Sequence, residues 1–227
     1  LRKAPGWSEE ALEYRFKDLR LLEQALTHRS AGGSHNERLE FLGDALLGMV
    51  VAEALYQALP DADEGYLSRL RAHLVRRETL ADLAAELSLG EHIRLGSGEL
   101  KSGGHRRASI LANGIEAVMG AVYLDGGYEA ARDLILGLLK GRLGALPAHD
   151  ELKDPKTRLQ EYLQGRGQEL PDYDIETVSG EDHKQRFTAG CALPRLSLRT
   201  VGEGRSRRQA EQAAAAAMIT LLESGGG

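Results

Sequence analysis

The segment Asn36–Ala52, NERLEFLGDALLGMVVA, sets the reading of the whole chain. Wound as an α-helix, it places Glu37, Glu40 and Asp44 within about 60° of one another. Leu39, Leu42, Leu46, Met49 and Val50 take the opposite arc, while Phe41, Ala45 and Leu47 leave little room for a polar solvent face. Between Leu39 and Ala52 the only charges are Glu40 and Asp44. Carboxylates in so apolar a helix are costly to bury unless something pairs with them.

A second segment repeats the theme. Ile110–Leu124, ILANGIEAVMGAVYL, carries one charge, Glu116, with Asn113 three residues earlier on the same helical face. If the two helices pack together, Glu40, Asp44, Asn113 and Glu116 converge. Hard cations such as Mg²⁺ take oxygen ligands of this kind, keep several waters and share substrate phosphate oxygens. The structural counter-reading pairs these carboxylates with Arg38, Arg69 or Arg71, or makes them helix caps, and spacing does not decide between the two. A di-iron carboxylate bundle needs Glu-x-x-His, and none of the seven histidines has a Glu three residues before it.

Outward from these segments the chain divides in two. Up to about Leu146 it is rich in Ala, Leu and Glu at helical spacing, with Gly and Pro as punctuation and no convincing strand. The Gly-rich loop Gly96–Gly104 lacks the ending of a nucleotide-binding loop and reads as a turn. Residues 147–152 read as a linker between domains at 5–146 and 153–223. In the second unit a helix at Lys156–Gln164 precedes alternating runs at Tyr173–Thr177, Phe187–Leu193 and Leu196–Val201. Ser206 is then placed to cap a helix through Leu222. The fold class is therefore α+β: an all-helical domain followed by a small α-β-β-β-α unit.

Composition bounds the function. The chain has 227 residues, one cysteine and a net charge of −5. One cysteine excludes an internal disulfide framework and a Cys-rich zinc site. No stretch approaches the roughly 20 apolar residues of a membrane span, and no secretory leader is recognisable at the start, so a cytoplasmic location without a membrane partner is expected. The acidic total argues against nucleic acid only until it is resolved along the chain. Acidic residues gather on the two apolar helices, whereas Arg205, Arg207 and Arg208 cluster at the start of the last helix, where free amides and the helix dipole also favour phosphate.

The run Asn36-Glu37-Arg38-Leu39-Glu40-Phe41-Leu42-Gly43-Asp44 resembles the signature of bacterial ribonuclease III. The resemblance extends through Asp63-Glu64-Gly65, Leu95–Glu99 with Ser102-Gly103-Gly104, Ile110–Asp125 and Asp154–Gly165, in the family's order. It implies a homodimeric helical endonuclease domain followed by a double-stranded-RNA-binding domain. It also implies Mg²⁺-dependent hydrolysis, with Mn²⁺ as a substitute, leaving 5′-phosphate and 3′-hydroxyl ends. Precursors of ribosomal and other structured RNAs are the substrates it suggests, and no organic cofactor is expected. By motif match Glu40, Asp44, Asn113 and Glu116 form the metal site, Asp44 and Glu116 carry the catalytic roles, and Glu37 and Glu64 lie in a surrounding acidic shell. Phe41 is a candidate dimer contact or a core residue.

The resemblance further assigns RNA contacts to Gln160 and Glu161 on the first helix of the second unit, to His183 in its hairpin turn, and to Arg207 and Arg208. Double-stranded RNA is recognised through shape, phosphates and 2′-hydroxyls, which suits such residues. Two departures stand out. Asn113 replaces the family's usual Asp and removes a negative charge, which motivates the alternative of a non-catalytic RNA-binding regulator. Glu211 occupies a position where a basic residue is common, which predicts weaker RNA binding.

Overall fold

The computed structural model describes residues 4–149, 151–181 and 184–224. The chain forms two compact units, Leu1–Pro147 and Ala148–Gly227. Among the described residues no helix is long and apolar enough to cross a membrane.

The first unit is helical: α1 (Ala4–Ala11), α2 (Leu19–Ala25), α3 (Glu37–Ala58), α4 (Glu64–Val75), α5 (Arg77–Glu86), α6 (Ser97–Lys101) and α7 (Ala108–Leu143). Asp18 and Asp63 cap α2 and α4 by accepting main-chain amides, which satisfies donors that a helix start leaves open. The core forms where α3 meets α7. Leu47, Leu55, Ile115 and Met119 are fully buried there. The crossing is close because both helices present glycine. A Cβ at Gly43 would overlap the Glu116 carbonyl, and one at Gly120 would overlap the Leu39 carbonyl. α7 is interrupted at Gly127, whose φ of 82° lies in the left-handed region that favours glycine.

Two local features differ from the sequence expectation. The glycine-rich loop contains α6 and a 3₁₀ turn, Gly104–Arg106. An isolated parallel bridge joins Thr27 to Arg94 within the otherwise helical unit.

In the second unit α8 (Pro155–Gln164) precedes β1 (Asp172–Ser179), β2 (Arg186–Leu193), β3 (Leu198–Gly204) and α9 (Arg207–Ser224). The sheet is antiparallel in the order β1-β2-β3, with a register shift between Ile175 and Thr177. Leu159 and Leu163 of α8 pack with Cys191, Leu193, Ala214 and Met218 into one core. Gly202 and Gly204 let β3 approach α9, since a Cβ on either would collide with α9 backbone. The α+β architecture is thus the observed one.

Candidate functional site

The α3–α7 crossing brings the acidic residues together. Glu40 is half-buried, and Asn113 on α7 donates a side-chain hydrogen bond to its carboxylate. Burial raises the Glu40 pKa; the Asn113 bond opposes that rise, and Glu37 and Asp44 add to it. Glu116 is more strongly affected. Burial, then the charges of Asp44 and Glu40, push its pKa up to about 7, while Arg77 pulls the other way. Three carboxylates and an amide oxygen on facing helices make a concentrated negative field that a hard cation neutralises.

The fit is that of an open site. Among the described residues no three or more His, Cys, Asp or Glu side chains are grouped so that they could hold a metal ion by themselves. Mg²⁺ needs no such cage, since one or two carboxylates suffice when waters and phosphate oxygens complete its shell. Asp44 is exposed and leaves room for them.

The remaining acidic candidates separate. Glu37 stands at the edge of the cluster, bound to Arg29 at 3.2 Å. Glu64 opens α4, where it accepts the Ser68 hydroxyl at 2.7 Å, and it is not among the charges acting on Glu40 or Glu116. The structure also supplies cations that the sequence did not single out. Arg77, at the first position of α5, acts on Glu116, and Arg29 acts on Glu40. Neither is among the arginines expected as partners, because helix packing rather than spacing selects them.

In the second unit Gln160 and Glu161 are exposed on α8, and Glu161 is paired with Lys153. Arg207 and Arg208 are exposed at the start of α9, where Ser206 accepts the Gln209 amide at 3.2 Å as a cap. Burial raises the pKa of Asp154, the N-cap of α8, but hydrogen bonds from Gln212 and Thr157 outweigh it and lower the value, with a smaller contribution from Arg208. Gln212 donates to Asp154 at 2.9 Å and accepts the Lys156 amide at 2.9 Å. Glu211 has a partner that the sequence did not reveal. Its carboxylate is held by Lys156 Nζ at 2.6 Å, so its charge is balanced within the unit. His183 lies outside the described residues.

Phe41, Met49 and Tyr56 of α3 are exposed at 79%, 59% and 74%. Met49, expected on the core arc, therefore shares a solvent-facing stripe with Phe41.

Comparison with known proteins agrees with this division. A Ribonuclease-III-like family profile matches residues 18–142, and a double-stranded RNA binding motif matches residues 155–222. Ribonuclease 3 of Ectopseudomonas mendocina is 56% identical over 94% of this chain and 93% of its own length. Ribonuclease 3 of Nitrosococcus oceani is 57% identical over 93% and 91%. The crystal structure of the nuclease domain of ribonuclease III from Campylobacter jejuni superposes with a TM-score of 0.58 at 43% identity, covering 60% of this chain and 94% of that one. A second structure of that nuclease domain, with the same TM-score and identity, concerns structural flexibility in the region involved in dimer formation.

Proposed function

Because the chain belongs to the ribonuclease III family, and is an endonuclease that cleaves double-stranded RNA, we propose that Glu40, Asp44, Asn113 and Glu116 are its divalent-metal site. The carrying observation is the close α3–α7 crossing at Gly43 and Gly120, which sets Glu40 and Asp44 against Asn113 and Glu116, with Asn113 hydrogen-bonded to Glu40. The raised Glu116 pKa, from burial and then the charges of Asp44 and Glu40, agrees with it. The family is divalent-metal dependent, and the all-oxygen donor set favours Mg²⁺, with Mn²⁺ as a substitute.

A bound cation would supply an activated water and neutralise charge on the phosphodiester. Glu40, Asp44, Asn113 and Glu116 would hold it, Glu116 as a direct ligand, and Asp44 and Glu116 carry the catalytic roles. Asn113 fixes the rotamer of Glu40 through its amide N–H, leaving the amide oxygen as a neutral donor. Glu37 tunes the rim of the cluster, and Glu64 stands further out. No covalent enzyme intermediate is required, and the ends left are 5′-phosphate and 3′-hydroxyl.

The nuclease domain occupies residues 5–146 and the RNA-binding domain 153–223. In the latter Gln160, Glu161, His183, Arg207 and Arg208 meet the duplex. The exposed stripe Phe41, Met49 and Tyr56 joins two copies of the chain, so that two acidic clusters act on one duplex. The substrates in the cell are structured RNA precursors, ribosomal RNA among them, and the site of action is the cytoplasm.

The decisive experiment is cleavage of duplex RNA by wild type, Glu116→Ala and Asn113→Asp in Mg²⁺ and in Mn²⁺, with end-group analysis. Wild type should cut and Glu116→Ala should not. Rescue of an inactive wild type by Asn113→Asp would show that the amide disables the site.

A further inference from the structure

A cleft of about 520 Å³ opens beside the acidic cluster, with Glu40 and Asn113 on its wall. That volume is in the range that encloses a ligand of nucleotide size, and far too small for a duplex. Glu37 and Glu99 line it as well, together with two arginines and a histidine. His28 and Arg29 come from the loop after α2, and Arg107 from the residue preceding α7.

The main chain carrying His28 and Arg29 is tied to the glycine-rich loop. The His28 amide donates to the Arg94 carbonyl at 3.0 Å, and the Ser30 hydroxyl accepts the Gly96 amide at 2.9 Å. Gly96 is needed there, because a Cβ would overlap the Ser30 carbonyl. The glycine-rich loop thus fastens the wall of the cleft.

Each arginine is provisionally partnered. Arg29 meets Glu37 at 3.2 Å and Arg107 meets Glu99 at 2.8 Å. The arginine side chains are 70% and 46% exposed. The Arg29–Glu37 pair is exposed on both sides and so contributes little stability and exchanges readily, while Arg107–Glu99 is more enclosed, its carboxylate 28% exposed. Guanidinium binds phosphate oxygens through two parallel, charge-assisted hydrogen bonds, as it does a carboxylate, so a phosphate entering the cleft competes with Glu37 and Glu99 for the two arginines. His28 Nδ1 accepts the Ser30 amide at 3.2 Å, which leaves the ring proton on Nε2 as a neutral donor.

We propose that this cleft seats the backbone phosphate adjoining the scissile one on the cleaved strand, with Arg29 and Arg107 exchanging Glu37 and Glu99 for its oxygens. The inference rests on the assignment of Glu40, Asp44 and Glu116 to the cleavage site, since the cleft shares Glu40 and Asn113 with that cluster. Holding a neighbouring phosphate fixes the strand against the reacting bond, and small misplacements there are costly in rate. Arg29 and Arg107 are therefore positioning residues.

The test is single-turnover cleavage, by the full chain in Mg²⁺, of a duplex RNA with one cut site. Duplexes carrying one uncharged methylphosphonate at successive positions around the cut are compared with the unmodified duplex. Wild type, Arg29→Ala, Arg107→Ala and Arg107→Lys are used. One adjoining methylphosphonate should slow wild type roughly 10- to 100-fold at saturating RNA. Arg107→Ala should slow the unmodified duplex by a similar factor with little change in KM, Arg107→Lys should recover part of it, and Arg107→Ala should add no further loss on the sensitive duplex. Absence of any sensitive adjoining position, or losses that multiply, overturns the proposal. If Arg107→Ala fails to fold, judged by its thermal unfolding, Arg29→Ala gives the same comparison. A wild type that leaves the unmodified duplex uncut in Mg²⁺ and Mn²⁺ overturns the site assignment instead.

Discussion

Gly43 of α3 rests directly on the main-chain carbonyl of Glu116 in α7, with no space for a Cβ between them. The contact sets the distance between the helices and therefore between Asp44, one residue along α3, and the Glu116 side chain. Gly43→Ala should destabilise the first unit by about 3 kcal/mol, the upper part of the range for overpacking a tight core. Gly141→Ala, in the same unit but with nothing within 4 Å of a new Cβ, should instead stabilise by about 0.5–1 kcal/mol through helix propensity. Urea unfolding of both variants checks the pair. Equal effects would mean that the crossing is not set by glycine.

Glu116 makes stability depend on pH and on metal. Its folded pKa, about 7, lies above the ordinary value of 4.5. The neutral acid is thus favoured in the folded state, and its contribution is fully present below about pH 4.5 and lost as pH rises through 7. The loss should be on the order of 1–2 kcal/mol after allowance for the partial exposure of the site. With a chelator present, thermal unfolding should fall across that window, and Glu116→Gln should flatten the profile. Added Mg²⁺ should oppose the fall, because cation binding takes the deprotonated carboxylate, and apparent affinity should rise with pH through 7. A wild-type profile as flat as that of Glu116→Gln would remove this account.

Much of this was readable from residue order, for identifiable reasons. Two apolar helices with isolated carboxylates announce a partnered charge, and period-two alternation at Phe187–Leu193 announces a strand. Other features depend on packing that no periodicity encodes. Arg77 is one of several arginines in its region, and only the docking of α5 on α7 selects it as the cation acting on Glu116. Met49 fits the core arc by angle, yet it is exposed because α3 is covered along only part of its circumference. The glycines near Gly96 signal a turn, whereas Ser30, 66 residues away, supplies the reason for Gly96. Glu211 reads as a missing basic residue until Lys156 is found beside it.

Arg207 and Arg208 offer a test that separates phosphate binding from sequence readout. Both are exposed at the start of α9. Cations on phosphates act through counterion release, so removing them lowers affinity evenly and flattens the salt dependence. Arg207→Ala with Arg208→Ala should weaken binding to unrelated RNA duplexes by similar factors. The slope of log affinity against log salt should shrink by about 1 for each phosphate that the variant no longer neutralises. A slope identical to wild type, measured by titration at several salt concentrations, would place the RNA elsewhere on the domain.

The stripe on α3 predicts how two copies meet. Phe41, Ala45, Met49, Ala52 and Tyr56 fall within about 80° on the helix, and its three large side chains are mostly exposed in the single chain. Large apolar side chains aligned on one face, two of them aromatic, are the kind that anchor interfaces, and a two-fold axis makes one such face complementary to itself. Asp44 adjoins Ala45 of this stripe, so a contact there would bring the acidic cluster of each copy beside the shared surface. Met49→Asp places a charge in the centre of the stripe without touching the buried face of α3. Sedimentation velocity at micromolar concentration should show a dimer for wild type and a monomer for Met49→Asp, with the dissociation constant raised at least roughly 100-fold, the effect expected for an unpaired charge buried at an interface. The variant should stay folded, with far-ultraviolet circular dichroism like that of wild type and a thermal unfolding that no longer rises with protein concentration. If it stays dimeric, the contact between copies lies on another face, and the proximity of Asp44 to the stripe has no part in assembling the two clusters.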